Sequence, residues 1–153
     1  MPLSASALSR LEFQHQTIRE LIRNTTEPDL HRRVQPDKWS AFENIAHLAT
    51  YQPIFLARLK KIQEETDPQF GRYVADQDPN FPPTLAKTLE QVLTDIDQQR
   101  TTIITTLAAM DDTTLARIGI HPKYGRLTIK EWTEFFLLHE AHHMYAIFTY
   151  IYT

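Results

Sequence analysis

The 153-residue sequence contains no cysteine. Disulfides, thiolate metal ligands and a cysteine nucleophile are therefore all excluded. Its three glycines are too few for a phosphate-cradling glycine-rich loop, and no Gly-x-Ser-x-Gly elbow of a serine hydrolase occurs. A basic surface is also missing: 16 Lys and Arg stand against 19 Asp and Glu, for a formal charge of -3. Without an excess of cations the chain cannot displace counterions from phosphates, so no nucleic-acid partner is expected. Long hydrophobic runs are absent as well. The strongest, Phe135 to Leu138, is halted by His139, and Met1 to Gln16 has no apolar core of signal-peptide length. The expectation is a cytoplasmic protein without a membrane partner.

What is present is ordinary for a soluble globular chain, with 42% hydrophobic and 23% charged residues, and the length suits one domain over residues 1–153. Four segments have helical periodicity, while the spacers carry nearly all the proline and glycine. The first runs from about Ser6 to Asn24. The second opens on Ser40-Ala41-Phe42-Glu43, a capping box, and continues past Pro53 to Ile62. The third is expected from Thr84 to Met110. The fourth opens on a second capping box, Thr128-Ile129-Lys130-Glu131, and extends to about Ile151. This predicts an all-α four-helix bundle with long connectors and no strand-forming runs. Connectors this long permit crossovers, so that neighbouring helices can be parallel, or form a lid over a site. In the first connector Phe70, Tyr73 and Phe81 are the apolar anchors. The basic clusters Arg32/Arg33/Lys38, Arg58/Lys60/Lys61 and Lys123/Arg126/Lys130 read as solvated ends and loops.

The chemistry-bearing pattern is His139-Glu140-Ala141-His142-His143. At 3.6 residues per turn His139 and His143 share one face, together with Trp132, Phe136, Ile147 and Tyr150, whereas His142 projects elsewhere. Two imidazoles on an apolar stripe need partners, and one divalent ion can serve both. A third ligand should come from another helix. His47 in the second helix and His15 in the first are the candidates. Helical phase does not decide between them, because His47 lies roughly 120° from the centre of its helix's apolar stripe, which by itself favours a rim position. Glu43 and Tyr51 flank His47 by one turn on either side, Glu43 chiefly as a cap. Asp76, Asp78, Asp111 and Asp112 read as turn and cap residues, and His31 and His121 as loop histidines.

The stretch from Trp39-Ser40 through Glu43 to His47-Leu48, followed by Gly125-Arg126-Leu127-Thr128 to Trp132 and then His139 to His143, resembles the DinB-like (YfiT-like) superfamily of metalloproteins. That resemblance implies a four-helix bundle with one histidine ligand from the second helix and two from the fourth, here His47, His139 and His143. It also implies zinc or nickel. Three neutral imidazoles suit those ions better than calcium or magnesium, with iron an alternative. Three protein ligands leave a coordination position for water or substrate.

The expected function is a metal-dependent enzyme acting on a small molecule, either a hydrolase or a transferase joining a low-molecular-weight thiol to an electrophile. The thiol reading follows from relatives that resemble bacillithiol- or mycothiol-dependent transferases. The alternative is a non-catalytic module, in which the metal only pins helices together or the chain binds a ligand or dimerises. Phe135, Leu138, Tyr145, Phe148 and Tyr152 offer apolar surface for a homodimer.

Overall fold

The computed structural model describes residues 2–153. Met1, the first residue of the domain expected over 1–153, lies outside them. Helix α1 (Ala5–Phe13) starts where the Ser4 hydroxyl accepts from the Ala7 amide. A 3₁₀ turn at Gln14–Gln16 joins it to α2 (Thr17–Ile22), so the first helix is one rod with a tightened turn near its middle. After the short α3 (Glu27–His31), α4 (Ala41–Glu64) begins at the expected capping box: Ser40 accepts from the Glu43 amide and Glu43 accepts from the Ser40 amide. Pro53 lies on the exposed face of α4, and the helix continues past it.

The expected third helix is divided. Phe81–Leu85 forms α5 and Leu89–Ala108 forms α6. The break arises because Thr88 is extended and makes a capping box with Gln91, satisfying the first amides of α6 from outside the helix. Leu85 therefore belongs to the connector. Helix α7 (Asp112–Leu115) follows, capped by Asp111, and α8 (Ile129–Ile151) starts at the Thr128/Glu131 box.

The expectation of no strands is corrected. β1 (Ile118–His121) and β2 (Gly125–Thr128) form an antiparallel hairpin, with Ile118 opposite Thr128 and His121 opposite Gly125. Its three-residue turn is closed by Gly125 at φ 72°, a left-handed position that glycine occupies without strain. Gly119 has a separate reason. A Cβ there would stand 2.7 Å from Ile62 Cδ1 and 2.9 Å from Phe70, so only glycine lets the hairpin lie this close to α4. The Phe70 amide donates to Ile120 O at 3.0 Å and the Ile120 amide to Pro68 O at 2.8 Å, tying the first connector to the hairpin.

Helix α4 packs against α8 and α6, and α1 packs against the same two. Two apolar clusters give their directions. One joins Ala7 and Leu11, Tyr51 to Ile62, Ile103 and Leu107, and Ile129 to Leu137. The other joins Ile18 and Ile22, Phe42 to Ala49, Val92 to Ile96, and Met144 and Ile147. Helices α4 and α6 therefore run in the same direction, and α1–α2 and α8 run opposite to them. A parallel neighbouring pair needs a chain that returns along the bundle, which is the task of the connector from Glu65 to Thr88. Among the described residues no helix is long and apolar enough to cross a membrane.

Between the two apolar clusters lies a polar layer. Buried Arg100 pairs with buried Glu140, donates to Leu11 O at 3.0 Å and to His15 Nδ1 at 3.2 Å, and reaches Gln52 Oε1 at 3.4 Å. Gln14 donates to Glu140 Oε1 at 2.9 Å. These contacts join all four long rods at one level, and His15 is taken up by them. The competing ligand candidate is thus assigned to a different set of partners.

Candidate metal centre

On the other side of the same layer, His47 from α4 meets His139 and His143 from α8. One nitrogen from each ring lies within 4.8 Å of the others. His47 Nε2 and His139 Nε2 stand 3.1 Å apart. Two imidazole nitrogens bound to one ion at about 2.0–2.1 Å are separated by roughly 3.0–3.4 Å, so this pair already has the spacing of two ligands on one ion. The rim position suggested by helical phase is corrected: His47 is only 4% exposed. Tyr73, from the first connector, stacks at 5.9 Å from its ring, Trp39 lies at 5.1 Å, and Phe81 in turn packs on Trp39. Segments outside α4 cover a face that its own periodicity left polar.

Burial lowers the pKa of all three rings. His47 is pushed down to about 4; His139, beside the two other rings, to about 2; and His143 to about 3. Desolvation disfavours each imidazolium, so the rings are neutral at physiological pH, the form in which imidazole ligates. Among the described residues, Nδ1 of His47 and of His139 is buried without a hydrogen-bond partner, while their Nε2 atoms face each other. His143 is oriented by α4: Asn44 Nδ2 donates to Ser40 O at 2.9 Å, which leaves its Oδ1 to accept from His143 Nδ1 at 2.7 Å. The proton on Nδ1 leaves Nε2 with a free lone pair, able to ligate. Neutral rings, matched spacing and an oriented tautomer fit a divalent metal ion.

A family model of the DinB superfamily matches residues 10–147. The chain belongs to the DinB superfamily. Among solved structures, YfiT from Bacillus subtilis, described as a probable metal-dependent hydrolase with an unusual four-helix bundle topology, aligns with a TM-score of 0.81 at 16% identity, over 95% of this chain and 83% of that one. TT2238, a four-helix bundle protein, aligns at 0.68 with 24% identity, over 93% and 95% of the two chains. A DinB-like protein of Bacillus subtilis, YjoA, aligns at 0.62 with 16% identity, over 95% and 89%. At these identities the likeness establishes the DinB bundle fold. No curated protein matches the chain.

A cleft of about 590 Å³ opens beside His139. Its floor is Tyr51 and Arg58 of α4 with Phe135 and His139 of α8, and its walls are Gly71 to Tyr73 of the first connector and the hairpin tip, His121 to Tyr124. The Tyr51 ring lies 4.2 Å from that of His139, and its hydroxyl accepts from Arg58 Nη1 at 3.0 Å. Burial raises the Tyr51 pKa, so the phenol stays protonated. His121, read as a loop histidine, ends β1 and lines this cleft. Arg58 and Lys123, read as members of solvated clusters, also reach it. Their signal is invisible along the chain, because the connector and the hairpin bring them together from distant segments. Of the carboxylates, Glu43 remains a cap paired with Arg33, and Asp78 accepts from the Tyr73 hydroxyl at 2.7 Å, holding that ring against His47. His31 lies against Phe42, away from the three histidines, and His142 is exposed.

Proposed function

We propose that the protein is a metal-dependent enzyme acting on a small molecule, with zinc or nickel held by His47, His139 and His143, and that hydrolysis is its reaction. The observation carrying this reading is the convergence of three neutral imidazoles on one point beside a cleft large enough for a small substrate. A divalent ion there supplies Lewis acidity toward a substrate oxygen or a water molecule. Three protein ligands leave room for that partner, as in catalytic centres and unlike the four-ligand structural zinc sites. The chain's own groups supply the rest. Asn44 keeps His143 in its ligating tautomer, Tyr73 and Trp39 shield His47 from water, and Tyr51 has a hydroxyl proton to give to a leaving group. The description of YfiT as a probable metal-dependent hydrolase supports the same class.

Transfer of a low-molecular-weight thiol is the second reading, favoured by the ion type, since zinc and nickel on imidazoles accept thiolates readily. The thiol would come from solution, because the chain has no cysteine. In the same reading the protein is cytoplasmic and pairs with a second copy through the outer face of α8, where Leu138, Tyr145, Phe148 and Tyr152 are exposed.

The test is metal analysis of untagged protein, wild type against His139→Ala and His143→Ala, followed by hydrolase and thiol-conjugation assays. Near-stoichiometric zinc or nickel in wild type, lost in variants that keep their helical circular dichroism, is the expected result. Failure of wild type to take up either ion overturns the proposal. Collapse of the helices on chelation points instead to a structural ion.

A further inference from the structure

The cleft beside His139 has an unusual charge. Arg58, Arg72 and Lys123 line it, and no aspartate or glutamate does. The decisive residue is Arg58, which is only 7% exposed and forms no ion pair among the described residues. Its Nη1 donates to the Tyr51 hydroxyl at 3.0 Å, and its guanidinium lies 5.2 to 5.8 Å from the ring centres of Trp132, Phe70 and Tyr51. Those rings hold it in place and offset part of its desolvation, but they supply no anion. Arg100 shows the ordinary solution within the same bundle, since that still more deeply buried guanidinium is matched by Glu140. A buried cation left with free donors beside a cleft is built to receive an anion.

The remaining polar groups agree. His121 Nδ1 accepts from the Lys123 and Tyr124 amides at 3.0 and 3.1 Å, so the neutral ring carries its proton on Nε2 and is a donor. Tyr51, having accepted from Arg58, has its own hydroxyl proton left to donate. The wall thus offers donors and cations and no carboxylate acceptor.

We infer that this cleft binds an oxyanion of the substrate, a carboxylate or a phosphate, on Arg58, with Arg72 and Lys123 drawing it in at the mouth. Taken with the proposed metal centre, on which only this part of the inference rests, the substrate is a small anion whose reactive bond lies between the Arg58 subsite and His139. Neutral analogues of the same shape bind more weakly, and raised salt weakens binding of the anion.

The test is isothermal titration calorimetry with benzoate, phenyl phosphate and neutral benzamide, on chelator-treated and zinc-loaded protein. Benzoate or phenyl phosphate is expected to bind metal-free wild type about tenfold or more tightly than benzamide. The tighter of the two anions distinguishes a carboxylate from a phosphate substrate. Arg58→Gln should remove most of that preference. The double variant Arg72→Gln/Lys123→Gln, altered only at exposed positions, should weaken the anion about threefold and flatten its salt dependence, which decides the matter if Arg58→Gln does not fold. Equal affinity for benzamide, no binding of either anion, or anion affinity indifferent to both variants overturns the inference. Anion binding that requires zinc, is lost in His139→Ala and is insensitive to Arg58→Gln also overturns it, while leaving the metal centre standing. Arg58-dependent binding by a chain that takes up neither zinc nor nickel upholds the subsite and removes the metal centre.

Discussion

Asn44 Oδ1 accepts a hydrogen bond from His143 Nδ1 at 2.7 Å, linking α4 to α8 less than one turn from His47. The bond fixes which nitrogen of His143 is free. Replacing Asn44 by alanine should leave three histidines in place but let the third ring rotate and change tautomer. Metal affinity is expected to fall about 10- to 100-fold, short of the loss caused by His143→Ala, as read by competition against a chromophoric chelator. Unchanged affinity in Asn44→Ala would mean that the Trp39 ring, stacked 6.1 Å from that of His143, orients it instead.

The Arg100–Glu140 pair predicts a strong coupling in stability. Both side chains are almost wholly buried, and Glu140 also receives Gln14 at 2.9 Å. Arg100→Met strands the carboxylate and should cost about 3–5 kcal/mol in urea denaturation, whereas Arg100→Met/Glu140→Leu should recover much of that loss. A double variant no more stable than Arg100→Met would show that the two charges are not energetically coupled.

His15 should impose a pH dependence on folding. Burial, reinforced by Arg100, lowers its pKa to about 4 in the folded chain, against 6.5 for the free side chain. On acidification the unfolded chain therefore takes up this proton first. The contribution of neutral His15 is fully present above pH 6.5 and is lost as pH falls toward 4. Comparing wild type with His15→Gln isolates it: the stability difference should move against wild type by about 3 kcal/mol across that window, measured by urea midpoints at several pH values. A difference independent of pH would show that His15 titrates normally in the fold.

Much of the bundle was legible because its signals are local. The boxes Ser40/Glu43 and Thr128/Glu131 start α4 and α8 where those residues occur, since a cap needs only its own first turn. The box Thr88/Gln91 was equally present but was overridden by the continuous apolar spacing around it, so α5 and α6 read as one helix. The hairpin was missed because four-residue strands containing Gly119 show little alternation. What stabilises them is contact with Ile62, Phe70 and Trp132, from other segments.

The site divides in the same way. His139 and His143 are one turn apart on one helix, so their common face follows from chain geometry, and the lack of cysteine restricts the donors to imidazole and carboxylate before any folding is considered. The burial of His47, the transfer of His15 to Arg100, the parallel course of α4 and α6, and the meeting of Arg58 with Lys123 depend on contacts between residues far apart in sequence. Such contacts are chosen by packing the whole chain at once, because periodicity specifies which face of a helix is apolar but not which neighbour will cover the rest. The sequence alone therefore determined the starts of α4 and α8 and the paired histidines, and tertiary packing decided the third ring and the cleft beside it.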